Sequence, residues 1–487
     1  MAPRCVLTLD QGGHASRVAL YSPAGDRLAA AEAPLATSHP RPGWVEHDPE
    51  ELLASLLKAL DELAVVAQAA RLMPAAAGLA TQRSSVVLWE RSTGRPLSPV
   101  FSWQDTRHAA WLTGLGLEAG RIRALTGLVP SPHYGASKLR WALDHLPAVR
   151  AALRRGDLCG GPLAAFILNR LLAERLFVCD PANASRTLLW DVRSGDWSPE
   201  LLAACQIPRP ILPDLVPSRQ PFGTLPFAGR SIPFTVATGD QSAALYAGGA
   251  PEPHTVYINL GTGAFVQRLA SVEGAAATGL LASVVFADRE QRLTVLEGTV
   301  NGAGAALDWL AERHGRPAAD WLPRLDSWLE TNTAPPLFLN GIGGLGSPWW
   351  RAAVPSGFDD PAGASVAADG EQALAREAVA VIESIVFMLA VNCERLTQAA
   401  GPFGTIRASG GLSRLDGLCQ RLAALTGCPV ERVPDLEATS RGLAWLLAQP
   451  REPWRTTTAT VFHPAPNAAL AARYCLWRTR LEKTLHR

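Results

Sequence analysis

Several things are scarce in this sequence. Its 487 residues carry 45 Lys and Arg against 44 Asp and Glu, a formal net charge of +1, and no block of one sign. That excludes a protein held to nucleic acid or to a membrane surface by bulk electrostatics. No two of its eight cysteines, at 5, 159, 179, 205, 393, 419, 428 and 475, form a C-x-x-C pair. Their spacing suggests no metal site and no redox couple, and small buried thiols in a reducing compartment are expected. Long apolar runs are missing too. The opening MAPRCVLTLDQGG is broken by Asp10, too short for the core of a secretion signal. Pro162 to Val178, the most apolar stretch, carries Asn169, Arg170, Glu174 and Arg175, and reads as a buried helix rather than a membrane span. A cytoplasmic protein is expected, its partner a small molecule and neither nucleic acid nor membrane; a homo-oligomer is compatible with this composition.

What the chain does have is apolar material, 48% against 18% charged residues, enough at this length for two domains. Cys5 to Leu9 is a short apolar run ending in Asp10-Gln11-Gly12-Gly13, and Arg17 to Tyr21 is a second, so a hairpin is expected. Leucines at 52, 53, 56, 57, 60 and 63 give Asp48 to Ala70 helical spacing after an Asp-Pro start. Ala75 to Leu79 then reads as a strand. Far downstream, Thr255 to Leu260 ends in Gly261-Thr262-Gly263 and is followed by Ala264 to Leu269, an echo of the first device. The expected division is 1–247, 248–447 and a tail, 448–487, rich in Arg, Pro and Ala.

Glycine turns leave backbone N–H groups free to converge on phosphate oxygens. Gly12-Gly13, Gly261-Thr262-Gly263 and Gly410-Gly411 are three candidates, each after a strand-like run, the last ahead of a helical stretch from Leu415. Asp240 follows the strand-like Val236–Gly239. Phosphoryl transfer to an alcohol needs a carboxylate to take the hydroxyl proton and Mg²⁺ to offset phosphate charge. Asp240 is the candidate base, with Asp10 and Asp240 candidates for the metal environment. Asp240 could equally be a helix N-cap.

Twelve ordered stretches resemble the FGGY carbohydrate kinases, and among them the glycerol kinases most. They include LDQGGHASR (Leu9–Arg17), GWVEHDP (Gly43–Pro49), GLATQR (Gly78–Arg83), SWQDTR (Ser102–Arg107), ASKLRWAL (Ala136–Leu143), DPANASRTLLWD (Asp180–Asp191), TGDQSAALYAG (Thr238–Gly248), NLGTGAF (Asn259–Phe265), NGAGAALDWL (Asn301–Leu310), ASGGLSR (Ala408–Arg414) and ATSRGLAWL (Ala438–Leu446). The resemblance covers about residues 4–447. It implies two actin-like (ribonuclease H-like) α/β domains with a nucleotide cleft between them, with acceptor and base on the first and nucleotide on the second. It also implies ATP and Mg²⁺. Asp240 matches the general base; Arg83, Ser84, Trp103, Tyr134, Gln241 and Phe265 match the acceptor-binding positions. Gly12, Gly13, His14, Arg17, Gly261, Thr262, Gly263, Gly304, Asp308, Gly410 and Gly411 match positions near the nucleotide.

The departures from the glycerol kinases lie at both ligands. Gly13 and His14 stand where they have two threonines, Ser84 where they have Glu, Asp308 where a helix carries Gln, and Leu415 where an Asn faces adenine. Gly160–Ala164 has no carboxylate where they have one. The expected reaction is ATP-dependent phosphorylation of a small polyol or sugar, glycerol to glycerol 3-phosphate first among them. Another polyol, or a ketose such as a pentulose, is the alternative acceptor, and a non-catalytic sugar- or nucleotide-binding regulator the alternative class. An actin-like filament or chaperone would have no use for Trp103 and Tyr134.

Overall fold

The short apolar runs Cys5–Leu9 and Arg17–Tyr21 form two strands, Arg4–Gln11 and Ala15–Tyr21, antiparallel with Asp10 opposite Arg17. The glycine pair between them closes the hairpin, the Gly12 N–H donating to the Ala15 carbonyl at 3.1 Å. The structure, a computed structural model, describes residues 4–332, 334–359, 370–433, 437–450, 454 and 459–486. Two compact units emerge. The first comprises Met1–Pro251, Ala282–Thr294 and Glu437–Arg455, the second Glu252–Leu281, Val295–Leu436 and Thr456–Arg487.

The first unit is built on a six-stranded sheet. Its order is Arg219–Phe227, Arg230–Gly239, Met73–Thr81, Arg4–Gln11, Ala15–Tyr21, Arg27–Pro34. The middle three strands are parallel to one another, with Asp10 opposite Ala80 and Thr238 opposite Ala80. Their carboxyl ends therefore lie on one edge of the sheet, the edge where open α/β sheets bind ligands. The expected helix forms over Pro49–Ala69, capped by the Asp48 side chain on the Glu50 and Glu51 N–H groups, and buries Leu52, Leu53, Leu56, Leu60 and Leu63.

In the second unit Thr255–Leu260 lies between Ala264–Leu269, antiparallel, and Thr405–Ser409, parallel. Ala264–Leu269 pairs onward with Val295–Val300, and Thr405–Ser409 with Val430–Arg432. Helix Glu371–Ala400 carries much of the core, with Val379, Ile382, Ile385, Val386 and Leu389 fully buried. The last forty residues are described at 448–450, 454 and 459–486. Within them Thr460–Phe462 pairs with Val430–Arg432, and helix Ala468–Leu485 buries Trp477, whose Nε1 donates to the Phe338 carbonyl at 3.0 Å. All eight cysteines are free thiols, six of them buried. Among the described residues no helix is long and apolar enough to cross a membrane.

Candidate active site

Three segments meet at the carboxyl edge of the first unit's parallel strands: Asp10–His14, a strand end and its turn; Gln82–Ser85; and Asp240–Gln241, the start of a helix. Hydrogen bonds tie the first two together: Gln82 N–H to the Gln11 carbonyl at 2.9 Å and Gln82 Nε2 to the Gly12 carbonyl at 3.3 Å. Behind Thr81, its hydroxyl donates to Asn183 Oδ1 at 3.1 Å, and Asn183 is itself held by the buried Asp180 carboxylate.

Asp240 is the first residue of a short helix, Asp240–Ala244, whose N-cap is Gly239. It is therefore not the cap that a strand-to-helix Asp suggests. Its Oδ1 accepts from the Gln241 N–H at 2.7 Å and lies 3.9 Å from Arg83 Nε. Arg83 also donates to Gln241 Oε1. Gly239 has a steric reason to be glycine, because a Cβ there would sit 2.5 Å from the Arg83 aliphatic stem. Burial raises the Asp240 pKa from its ordinary value, and the Arg83 and Arg186 guanidiniums act against that rise. The side chain stays 29% exposed, so its carboxylate is open to solvent. From the far end of the chain, helix Ala438–Ala448 crosses this one closely: a Cβ on Gly442 would lie 1.8 Å from the Ala243 carbonyl oxygen.

Burial, with the Asp240 charge second, pushes Asp10 up to about 7. Asp10 is 9% exposed. Two carboxylates that repel each other form a donor set short of positive charge. Mg²⁺ usually takes one or two carboxylates and completes its shell with waters and nucleotide phosphates, and the pair fits that. Among the described residues no group of three or more His, Cys, Asp or Glu could hold a metal by itself. A consequence follows for stability. Between the ordinary value of 3.8 and about 7 the native state holds a proton that the unfolded chain has released. Stability therefore falls as pH rises through that window, by at most roughly 4 kcal/mol. Asp10→Asn is expected to melt at a higher temperature than wild type at pH 8, the difference shrinking toward pH 4. Parallel melting curves against pH would show that Asp10 ionises normally.

Of the residues matched to acceptor positions, Ser84 is 8% exposed and has a left-handed backbone, φ 68°. Trp103 is 40% exposed, its N–H bonded to Ser85 Oγ at 2.9 Å. Tyr134 is buried, with the Arg186 guanidinium 5.2 Å from its ring centroid, whereas the adjacent His133 is exposed and lies 6.5 Å from the Trp103 ring. His133 and Arg186 were not singled out from the sequence. An arginine in the otherwise small and apolar run Ala182–Trp190 was a signal for the second. Gly12 and Gly13 are half-buried and His14 is exposed. Arg17 pairs with Glu32 at 3.0 Å, both largely open to solvent; such a pair is worth ~0–1 kcal/mol.

In the second unit Gly261-Thr262-Gly263 forms the turn between Thr255–Leu260 and Ala264–Leu269. Helix Gly304–His314 starts against it, with Ala303 and Ala305 N–H donating to the Thr262 carbonyl and Gly304 N–H to the Gly261 carbonyl, at 3.0–3.1 Å. A Cβ on Gly304 would lie 2.9 Å from the Gly261 oxygen. Gly410 follows the neighbouring parallel strand at φ 89°, where a Cβ would lie 2.5 Å from the Leu260 oxygen. A 3-10 turn, Gly411–Arg414, precedes helix Asp416–Thr426. The two glycine turns thus share one sheet edge, as the parallel pairing of Asn259 with Ser409 requires. Asp308 is exposed on the helix and Phe265 half-buried on its strand.

A sequence profile for the FGGY family of carbohydrate kinases, N-terminal domain, matches residues 5–247, and the profile for the C-terminal domain matches 256–449. Glycerol kinase of Citrifermentans bemidjiense is 34% identical over 450 residues, spanning 91% of this chain and 89% of that protein. Glycerol kinase of Methylibium petroleiphilum is 35% identical over 460 residues, with 91% and 89% covered. Among solved structures, Plasmodium falciparum glycerol kinase with ADP superposes with a TM-score of 0.87 at 22% identity, covering 99% of each chain. Xylulose kinase of Rhodospirillum rubrum superposes at 0.84 and 21%, covering 99% of this chain and 100% of that one.

Proposed function

The chain belongs to the FGGY family of carbohydrate kinases, and from that premise we propose that it moves the γ-phosphoryl group of ATP onto a hydroxyl of a small polyol, glycerol first among the candidates. It is a phosphotransferase with an alcohol group as acceptor. The observation that carries the proposal is the Arg83–Asp240–Gln241 constellation at the sheet edge. Asp240 takes the proton of the attacking hydroxyl. Arg83 and Gln241 hold neighbouring hydroxyls by hydrogen bonds, and Trp103 covers the carbon skeleton. Phe265 is a further apolar surface proposed for the acceptor. Gly12, Gly13, His14 and Arg17 meet phosphate oxygens from the N-terminal domain; the turns at Gly261–Gly263, Gly304 and Gly410–Gly411, with Asp308, form the nucleotide site of the C-terminal domain. Asp10 and Asp240 would hold the Mg²⁺ that offsets phosphate charge.

Ser84 decides the acceptor within this reading. It is two heavy atoms shorter than Glu and uncharged, so space opens beside Arg83 for an acceptor longer than glycerol. A hydrogen bond to a charged group is worth roughly 1.5–3 kcal/mol. Ser84→Glu is therefore expected to lower the apparent KM for glycerol about tenfold or more and to raise that for longer polyols and ketoses. Steady-state ADP release on the two acceptor classes measures this. Micromolar KM for glycerol in wild type, with only harm from the substitution, would make glycerol the natural acceptor with Ser84 in place.

A further inference from the structure

Lys138 has no part in the site described so far, and its position is unusual. It lies in the first turn of helix Gly135–His145 and is 0% exposed. A cation there opposes the helix dipole, and a buried amine loses its hydration. Its Nζ donates to the His133 carbonyl at 2.6 Å and reaches the Tyr134 carbonyl at 3.5 Å. The carboxylate whose charge acts on it, Asp105, is already engaged by the Val45 N–H and by Arg107. Burial lowers the Lys138 pKa to about 7, the Asp105 charge acting against this and Arg107 with it. Charged or neutral, the amine still has protons to donate.

From that amine a series of hydrogen bonds runs in one direction. His133 Nδ1 lies 3.1 Å from the Trp103 carbonyl oxygen, which can only accept, so Nδ1 carries the proton. Trp103 N–H donates to Ser85 Oγ, Ser85 Oγ–H to Gln82 Oε1 at 2.9 Å, and Gln82 Nε2 to the Gly12 carbonyl. Every donor points the same way along the series, and Ser85 Oγ and the Gln82 amide each accept one bond and donate the next, so the bonds from Trp103 N–H to the Gly12 carbonyl polarise one another. The series ends at the glycine turn beside Asp10.

We propose that Lys138 is a positioning residue of the acceptor site: it anchors the turn bearing His133, holds that imidazole where the Trp103 carbonyl fixes its Nδ1–H tautomer, and through it sets Trp103 relative to Arg83 and Gln241. The inference rests on the reading of Trp103 as an acceptor-site residue. It has a chemical consequence: His133 Nε2 is left as a hydrogen-bond acceptor on an exposed ring beside Trp103, suited to a hydroxyl donor. The acceptor recognised there is a polyhydroxylated carbon chain that donates at this point.

Kinetics and NMR test this together. Lys138→Met is expected to raise the acceptor KM about tenfold, the worth of one charge-assisted bond, with kcat and the ATP KM within twofold of wild type. Lys138→Gln, which can still donate to a carbonyl, should recover most of the loss. His133→Phe should show the same acceptor-specific defect, and the double variant should be no worse than either single one. An unchanged acceptor KM in K138M, or defects that multiply in the double variant, would overturn the proposal. Nitrogen-15 spectra of the histidines, with His133 assigned by its loss in H133F, should show the neutral Nδ1–H form; the Nε2–H form would overturn the proposal, and this readout stands even if K138M folds poorly. It also needs no acceptor, so a wild-type protein that phosphorylates nothing would refute the kinase reading and leave the tautomer to decide the role of Lys138.

Discussion

Replacing Asp240 by Asn lowers turnover by ~10²–10⁴-fold, the usual size of general-base assistance, while acceptor KM stays within about threefold. Asn has the shape of Asp, and its oxygen can still accept the Gln241 N–H bond that the Asp240 carboxylate accepts at 2.7 Å. Arg83 keeps Gln241 as a partner. What Asn cannot do is take a proton from the attacking hydroxyl. The carboxylate is placed to do so: it is buried enough to raise its pKa, yet Arg83 and Arg186 keep the ionised form accessible. Initial rates of ADP release with saturating acceptor and nucleotide measure the effect. A variant that kept half of wild-type turnover would remove Asp240 from the mechanism.

Gly304→Val weakens nucleotide binding by about 10–100-fold, the worth of one or two hydrogen bonds to charged phosphate, and leaves the acceptor KM near its wild-type value. The reason is steric. A Cβ at 304 would lie 2.9 Å from the Gly261 oxygen and 3.2 Å from Thr262 Cα, both backbone atoms that no side-chain rotation can clear. The start of helix Gly304–His314 must therefore move off the Gly261–Gly263 turn, breaking the bonds that Ala303, Gly304 and Ala305 make to it. Overpacking of this kind costs typically ~1–3 kcal/mol of stability, so the variant should stay folded and be assayable. Titration with ADP, read by calorimetry, gives the affinity directly. Unchanged ADP affinity in a folded variant would show that this turn does not touch the nucleotide.

Local patterns made much of this legible. The strand-then-glycine runs at Asp10–Gly13 and Asn259–Gly263 and the leucine spacing after Asp48 each reflect a contact between near neighbours, and the corresponding hairpins and helix form as their spacing predicts. The rest depends on pairings that sequence order hides. Arg17 meets Glu32 because the strands Ala15–Tyr21 and Arg27–Pro34 pair in a register that places them opposite. Asp240 is the first helical residue rather than the cap, since the chain turns at Gly239 to clear the Arg83 stem. Tyr134 and His133 are neighbours in sequence, yet where the helix begins at Gly135 decides which ring is buried and which faces solvent. Gly442 and Ala243 lie about two hundred residues apart, and only the fold brings those helices into contact. Trp477 is buried in a segment whose Arg, Pro and Ala content gives no sign of a core residue.

The central claim is transfer of phosphate from ATP to a small polyol or sugar. The most direct measurement is ADP release by the wild-type protein with ATP and Mg²⁺ across a panel of triols, longer polyols, ketoses and aldoses. At least one acceptor is expected to raise ADP release far above the acceptor-free rate, with the phosphorylated product visible by phosphorus NMR and the stimulation lost in Asp240→Asn. ADP release that no acceptor raises, or that persists unchanged in Asp240→Asn, would contradict it.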